Sequence, residues 1–213
     1  MQKTLLTFGD SNTHGTMPMT AASDNFRYGV GQRWPSVTAQ ALGSSWRLIE
    51  EGLPGRTATA ACDPIMGAHM NGQIGLQIAL GSHKPIDLLT IMLGTNDCKP
   101  YFGLTAQGIA SAVAGLIAIA KDPDVQAKHG GFEILLIAPP VVQERGAFVA
   151  ELWQAAGKSA ALPALYADLA AHTGIAFLDA SPHVTTCAED GVHFDEIAHQ
   201  TLGQLVAAKI ASL

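Results

Sequence analysis

A serine, a histidine and an aspartate in this sequence could together carry out nucleophilic chemistry at a carbonyl carbon. Ser11 lies near one end of the chain, and Asp190 and His193 stand three residues apart near the other end. A serine hydroxyl is a poor nucleophile until a base removes its proton, and a histidine can do this near neutral pH. The other ring nitrogen of that histidine needs an acceptor, usually a carboxylate, which holds the ring in the productive orientation. The three residue types therefore fit acyl transfer through a serine.

Such a reaction also needs hydrogen-bond donors, because its tetrahedral intermediate carries an oxyanion. Three donors are available: the backbone N–H of Ser11, the backbone N–H of Gly55 and the side-chain amide of Asn96. Gly55 has no side chain, so its amide can approach a ligand closely. Loss of one such donor typically lowers a rate by about 10²–10³.

The hydrophobic pattern indicates the elements that must position these residues. Five short apolar runs predict strands, at 4–8, 47–51, 87–93, 133–138 and 175–178. Helical spacing predicts helices at 34–42, 106–120, 159–173 and 195–212. Strands that alternate with helices favour a parallel sheet with right-handed crossovers. We therefore expect an α/β fold, a three-layer flavodoxin-like sandwich whose five-stranded parallel sheet carries helices on both faces.

The predicted sheet would bring the chemical groups to one edge. Ligands of open α/β sheets bind beyond the carboxyl ends of the strands. Ser11 follows the first predicted strand, the segment 52–56 follows the second, and the segment 94–97 follows the third. Asp190 and His193 follow the fifth after a short connection. Each segment alone is ordinary turn sequence, but together they place a hydroxyl, oxyanion donors, an imidazole and a carboxylate on one rim.

Composition limits the possible partners and locations. The 213 residues are 48% apolar and 14% charged, which fits one domain, 1–213, with a core that needs no disulfides. The net charge is −6 without a cluster of lysines and arginines, which argues against binding to nucleic acid or an anionic membrane. Neither a signal peptide nor a membrane span is predicted, and the three cysteines lack a CxxC motif. We expect a cytoplasmic protein with free thiols, whose low charge favours apolar surface buried between subunits.

Four short blocks in this order resemble those of the SGNH hydrolases, the GDSL-type lipase/esterase family. The blocks are Gly9-Asp10-Ser11, Gly52-Leu53-Pro54-Gly55-Arg56-Thr57, Gly94-Thr95-Asn96-Asp97 and the Asp-x-x-His of residues 190–193. The resemblance implies that Ser11 is the nucleophile, that His193 is its base and that Asp190 orients the base. It also implies that Ser11, Gly55 and Asn96 form the oxyanion hole. Asn12 stands where the family has leucine, at a position expected to pack or to support the turn.

Two longer segments, 50–57 and 91–102, are similar to the oligomeric bacterial arylesterase/acyltransferase and carbohydrate-esterase subgroup. This likeness implies hydrolysis of short-chain carboxylic esters, including aryl and acetylated carbohydrate esters, through an acyl-serine intermediate. It also implies a homo-oligomer, specifically an octamer. We expect a small-molecule ester as substrate and no cofactor, and in a narrow apolar site an alcohol could compete with water and give acyl transfer.

Several further residues are candidates for contact with the substrate. His14 follows the nucleophile closely, and we expect it to line the pocket. Arg56 either touches substrate or a neighbouring subunit, or forms a structural ion pair. Phe148 and Trp153 lie in the long segment 141–157, which we expect to form an acyl-pocket wall and a subunit interface, since long loops in compact domains tend to be functional.

Some features have more ordinary interpretations. Asp10 and Asp97 are expected to be structural turn residues rather than catalytic acids. His183, Cys187 and Glu189 form a loose group whose spacing fits no recognised zinc pattern, so no metal site is predicted. The alternative function is that of a flavodoxin-like protein without hydrolytic activity, which would bind a phosphate or nucleotide at the turn that follows the first strand.

Overall fold

The computed structural model describes residues 2–21, 23–24, 26–59 and 61–213. Its centre is a five-stranded parallel sheet with the strand order β2-β1-β3-β4-β5. The strands are β1 (Lys3–Gly9), β2 (Trp46–Gly52), β3 (Leu88–Met92), β4 (Glu133–Ala138) and β5 (Ala176–Asp179). The α/β fold expected from the sequence is confirmed, and each predicted strand is found at its expected place in the chain, with small differences at the ends.

Seven α-helices accompany the sheet in the described part of the chain. They are α1 (Ser11–His14), α2 (Trp34–Leu42), α3 (Gly72–Ser82), α4 (Ala106–Lys121), α5 (Pro123–His129), α6 (Ala155–Thr173) and α7 (Glu196–Ala211). Single 3₁₀ turns lie at Ala68–Met70, Asn96–Cys98, Pro100–Phe102 and Gly146–Phe148. The four predicted helices correspond to α2, α4, α6 and α7.

Helices cover both faces of the sheet because successive strand residues point to opposite sides. Leu6 belongs to a core with residues of α3, α4 and α6, whereas Leu5 belongs to a second core with residues of α2 and α7. Both leucines are fully buried. A strand that is buried on both faces has a nearly continuous run of apolar residues, and such runs predicted β1 and β3 from the sequence.

The sequence did not reveal α3, which lies between β2 and β3. The helix contains three glycines, Gly72, Gly75 and Gly81, and glycine is among the weakest helix formers. Its first turn is stabilised from outside the helix, because the Asn71 side chain accepts a hydrogen bond from the Gln73 N–H at 2.9 Å. A local cap and tertiary packing therefore form a helix that periodicity alone did not predict.

No helix in the described ranges is both long and apolar enough to cross a membrane.

Candidate active site

Ser11 is presented by a tight turn at the carboxyl end of β1. It is the first residue of α1, and Asp10 caps this helix by accepting a hydrogen bond from the Asn12 N–H at 2.9 Å. Gly9 is needed at the turn because a Cβ atom there would lie 2.0 Å from Thr13 Oγ1 and 2.8 Å from a backbone oxygen of β3. The sequence thus folds so that the nucleophile candidate stands at the edge of the sheet where ligands bind.

The structure brings Ser11, His193 and Asp190 into one hydrogen-bonded chain. The Ser11 Oγ atom lies 3.0 Å from His193 Nε2, and His193 Nδ1 lies 2.7 Å from Asp190 Oδ2. All three residues are buried. A carboxylate can only accept, so Nδ1–H donates to Asp190 and leaves the lone pair of Nε2 for the serine proton. The arrangement has the geometry of a nucleophile, its base and an orienting acid.

Asp190 is held as a carboxylate by donors on both of its oxygens. Its Oδ1 accepts hydrogen bonds from the N–H groups of Val192 and His193, each at 2.9 Å. Its Oδ2 accepts a further bond from the Met19 N–H at 2.8 Å. Burial alone would raise the pKa of Asp190, but the hydrogen bond and charge of His193 together with the backbone donors outweigh it and lower the pKa. Asp190 is therefore ionised at neutral pH.

Gly55 and Asn96 line the same cavity as Ser11 and His193. Gly55 has φ +88°, and a Cβ atom there would lie 2.5 Å from the sulfur of Met66. The Asn96 amide is held in place because its Nδ2 donates to the Arg56 carbonyl oxygen at 3.1 Å. The three predicted oxyanion donors are thus brought to one cavity.

Asp97 connects the two segments that carry these donors. Its carboxylate accepts hydrogen bonds from the N–H groups of Ala58 and Thr59, at 2.9 Å and 2.8 Å. Burial raises the pKa of Asp97 to about 6, although these bonds act to lower it. The side chain therefore ties the turn after β3 to the turn after β2, a structural role as expected.

Asp10 is a second buried carboxyl group near the site. Burial raises the pKa of Asp10 to about 6, opposed by the hydrogen bond from Asn12 and the charge of His193. Its side chain caps α1 and so supports the turn that holds Ser11.

The cavity above Ser11 has a volume of about 240 Å³ and combines apolar walls with a few polar groups. Its lining residues are Ser11, Met19, Pro54, Gly55, Ile65, Met66, Asn96, Lys99, Tyr101, Phe148, Glu151, Leu152, Val192 and His193. Phe148, which was predicted to contact substrate, lies edge-on to the His193 ring with centroids 5.7 Å apart.

Arg56 is placed beneath the site and does not line the cavity. Its Nη1 donates to the carbonyl oxygens of Gly9, at 3.0 Å, and Glu51, and its guanidinium lies 4.1 Å from the centre of the Phe8 ring. Burial lowers the pKa of Arg56 to about 10. Arg56 thus joins the ends of β1 and β2. These contacts favour a structural role over the predicted contact with substrate.

His14 and Trp153 are also absent from the cavity lining. The His14 Nδ1 atom lies 3.1 Å from Thr16 Oγ1, and its backbone packs against Gly52, where an added Cβ would lie 2.2 Å from the His14 nitrogen. Trp153 is 59% exposed. The structure therefore corrects the expectation that these two side chains line the pocket: α1 turns His14 away, and Trp153 faces solvent.

Sequence reasoning missed an ion pair in the cavity wall. The Lys99 Nζ atom lies 3.1 Å from Glu151 Oε2, and both residues line the cavity. Lys99 also lies 5.8 Å from the ring centre of Tyr101, whose hydroxyl donates to Asp63 at 3.1 Å. These residues come from three segments distant in sequence, so no local pattern could indicate that they meet.

The described residues contain no group of three or more His, Cys, Asp or Glu side chains arranged to hold a metal ion.

Comparison with known proteins agrees with this geometry. Residues 7–201 match the GDSL-like lipase/acylhydrolase family. A comparison with curated proteins gave no match.

Solved structures resemble the chain over nearly its whole length. The carbohydrate acetylesterase Est24 from Sinorhizobium meliloti is 34% identical with a TM-score of 0.93, and the alignment covers 99% of each chain. The native aryl esterase of M. smegmatis is 33% identical with a TM-score of 0.92 and the same coverage. A carbohydrate acetylesterase family member from Sinorhizobium meliloti is 34% identical with a TM-score of 0.88, covering 99% of this chain and 98% of the other.

These matches do not support the alternative of a phosphate- or nucleotide-binding protein without hydrolytic activity. The chain belongs to the GDSL-like lipase/acylhydrolase family and is a carboxylic ester hydrolase.

Proposed function

We propose that the protein is a serine esterase that hydrolyses short-chain carboxylic esters through an acyl-serine intermediate. The observation that carries this proposal is the buried chain of hydrogen bonds from Ser11 through His193 to Asp190. The base lies within hydrogen-bond reach of the nucleophile and is itself oriented by a carboxylate, which is the arrangement that activates a serine.

In the first half of the reaction, Ser11 Oγ attacks the ester carbonyl carbon while His193 Nε2 takes the hydroxyl proton. The tetrahedral oxyanion accepts hydrogen bonds from the N–H groups of Ser11 and Gly55 and from the Asn96 amide. The bond to the leaving oxygen then breaks, and His193 delivers its proton to the departing alcohol. Asp190 remains a carboxylate and stabilises the imidazolium.

In the second half, water attacks the acyl-serine carbonyl while His193 takes one of its protons. Collapse of the second intermediate releases the carboxylic acid and returns the proton to Ser11 Oγ. An alcohol that replaces water at this step yields a new ester, so acyl transfer requires no further residue.

A small acyl group is supported by the size and lining of the cavity. About 240 Å³ bounded by Phe148, Leu152 and Ile65 accommodates a short apolar group next to the nucleophile. Solved structures at 33–34% identity carry the names aryl esterase and carbohydrate acetylesterase, which supports aryl and acetylated carbohydrate esters as the substrate class.

We also propose that the protein is a cytoplasmic homo-oligomer, and the family resemblance implies an octamer. Large apolar side chains are exposed on the described surface, including Phe26, Val30 and Ile197 at 64%, 77% and 76%, and they supply apolar area that a subunit contact would bury. Light scattering on the purified protein tests this part, and a monomeric mass would contradict it.

Replacement of the nucleophile tests the catalytic assignment. We expect Ser11→Ala to lower kcat for p-nitrophenyl acetate by at least about 10³-fold, because no other group supplies the attacking oxygen. The matched control is Ser36→Ala, a buried serine on α2 whose hydroxyl bonds to the backbone of its own segment. Wild-type turnover by Ser11→Ala would refute the assignment, and a series of acetyl, butyryl and octanoyl esters measures the acyl-length limit.

A further inference from the structure

Asn12 makes two hydrogen bonds that join the nucleophile segment to the segment carrying His193. Its Nδ2 donates to the Val192 carbonyl oxygen at 3.1 Å, and its Oδ1 accepts from the Phe194 N–H at 3.2 Å. The two bonded residues flank His193, and they lie 180 and 182 residues away in sequence. Asn12 itself is 2% exposed. One side chain thus binds the backbone on both sides of the base.

The chemistry of the amide fits this task. A carboxamide carries a donor and an acceptor in one plane, so it can satisfy a carbonyl and an N–H on the same stretch of backbone. A leucine has neither group, and an ionised aspartate only accepts. The residue at position 12 therefore decides whether these two buried backbone groups are satisfied by the nucleophile segment.

The two bonds of Asn12 link the nucleophile segment to the His193 segment, whereas the bonds that Asp190 accepts from Val192 and His193 do not. The Asp190 carboxylate accepts from Val192 and from the backbone and ring of His193, all within four consecutive residues. Those bonds orient the ring relative to Asp190. The separation of His193 Nε2 from Ser11 Oγ depends instead on contacts between the two segments, to which Asn12 contributes both of its side-chain bonds and the Met19 N–H contributes one bond to Asp190.

We propose that Asn12 is a positioning residue that holds His193 at hydrogen-bond distance from Ser11. The proposal rests on the proposed function, because it assigns His193 as the base for Ser11. Asn12 does not line the cavity, so it acts through the base and not on the ester. Its loss reduces kcat and leaves KM nearly unchanged.

The test measures kcat per active site. Reaction of each protein to completion with diethyl p-nitrophenyl phosphate counts the competent serines, and turnover of p-nitrophenyl acetate is divided by that count. We expect Asn12→Leu to lower per-site kcat by about 10–100-fold, because a misplacement of about 1 Å in an active site can cost 10²-fold. We expect KM to stay within about twofold of the wild-type value, since uniform binding is unaffected.

The matched control is Thr38→Val on α2, which also removes buried hydrogen bonding. The Thr38 hydroxyl lies 2.9 Å from the Trp34 carbonyl oxygen and 3.1 Å from that of Gly203, remote from the cavity. Its loss is expected to lower Tm while per-site kcat stays at the wild-type value. If Asn12→Leu behaves in the same way, with reduced Tm and unchanged per-site kcat, Asn12 is only structural and the proposal is wrong.

A second variant guards against failure of Asn12→Leu to fold. Asn12→Asp keeps the size of the side chain and the acceptor for Phe194, but it places an acceptor oxygen against the Val192 carbonyl oxygen, and we expect per-site kcat to fall here too. Wild-type per-site kcat in this variant would also overturn the proposal. Failure of the proposed function is a separate outcome, because Ser11→Ala would then retain activity whatever the result at position 12.

Discussion

Two buried carboxyl groups close to the Ser11 turn, Asp10 and Asp97, give the protein a specific dependence of stability on pH. Burial raises the pKa of each from 3.8 to about 6. A raised pKa means that the folded state binds the proton more tightly than the unfolded state does. The stability contributed by each group is therefore complete below pH 3.8 and is lost as the pH rises through about 6.

Replacement of Asp10 by asparagine isolates this effect. The new Oδ1 can still accept the Asn12 N–H, so the cap of α1 is kept, but no charge is buried at high pH. We expect Asp10→Asn to gain up to about 3 kcal/mol of unfolding free energy relative to wild type between pH 4 and pH 7.5. Urea titrations at both pH values measure it, with the exposed Asp168→Asn as the control for loss of one charge. A variant that loses stability relative to wild type as the pH rises would show that the Asp10 charge is stabilising.

At the scale of the elements, the loop after β2 depends on a glycine in a left-handed conformation. Gly55 has φ +88°, and Gly103 has φ +64° in the turn that follows the Pro100–Phe102 segment. A non-glycine residue in this region costs about 1–2 kcal/mol. The two glycines differ in that Gly55 lines the cavity and Gly103 does not.

Alanine at each position separates backbone strain from function. We expect Gly103→Ala to lose about 1–2 kcal/mol of stability through backbone strain, and Gly55→Ala to lose at least as much, because its Cβ would also lie 2.5 Å from the Met66 sulfur. Only Gly55→Ala should also lower kcat, by about 10²-fold, because its N–H is a proposed oxyanion donor whose direction would change. Chemical unfolding and p-nitrophenyl acetate kinetics measure both quantities. Equal kcat values for the two variants would remove Gly55 from the oxyanion hole.

The ion pair of Lys99 and Glu151 links the segment that follows β3 to the segment that carries Phe148. The Lys99 side chain is 10% exposed and that of Glu151 is 39% exposed, so the pair is only partly screened by solvent. We expect Glu151→Gln to raise KM for p-nitrophenyl acetate about 2–10-fold with a smaller effect on kcat, because the cavity wall loosens while Ser11, His193 and Asp190 stay in place.

The control for this variant removes the same charge from the same segment. Glu144 accepts a hydrogen bond from the Ala156 N–H at 3.0 Å, which glutamine can also accept. Glu144→Gln should therefore leave KM unchanged. If Glu151→Gln and Glu144→Gln give the same KM as wild type, the ion pair does not shape the cavity.

At the scale of the whole molecule, α2 and α7 pack together on one face of the sheet, and they approach each other closely at Gly203. A Cβ atom there would lie 2.5 Å from Val37 Cβ and 3.0 Å from the Trp34 carbonyl oxygen. Overpacking of this kind typically costs about 1–3 kcal/mol. The helix pair lies on the sheet face opposite α3, α4 and α6, so its distortion affects stability more than chemistry.

Alanine substitution at Gly203 tests this view of the fold. We expect Gly203→Ala to lower Tm by about 2–10 °C, with kcat per titrated site unchanged. Gly81→Ala is the matched control, since nothing lies within 4 Å of its added Cβ on α3, and alanine in a helix should raise stability slightly. If Gly203→Ala has a Tm at or above that of wild type, α2 and α7 can move apart to accept the added methyl group without loss of stability, and this view of the fold is wrong.

Much of this architecture was predictable because its signals are local. Both-face burial made β1 and β3 readable as apolar runs, and Trp34-Pro35 with Gly43 marked the two ends of α2. The hydroxyl, imidazole, carboxylate and donors could be assigned to one rim, since parallel strands end at the same edge of a sheet.

What escaped prediction depends on partners distant in sequence. The role of Asn12 is defined by backbone groups 180 and 182 residues away. The sequence left open whether Arg56 contacts substrate or is structural, and only the fold shows its guanidinium donating to the carbonyl oxygens at the ends of β1 and β2. The absence of His14 and Trp153 from the cavity lining is likewise not encoded in any short sequence pattern.

The separation of 182 residues between Ser11 and His193 has a consequence for how the protein is made. Ribosomes synthesise β1 and the Ser11 turn before the segments that follow β2 and β3, and residues 190–193 after all of these. A nascent chain from which residues 190–193 have not yet emerged therefore carries Ser11 without its proposed base, and α2 without the residues of α7 that pack against it. In the proposed mechanism, hydrolysis therefore requires that residues 190–193 have first packed against the Ser11 turn.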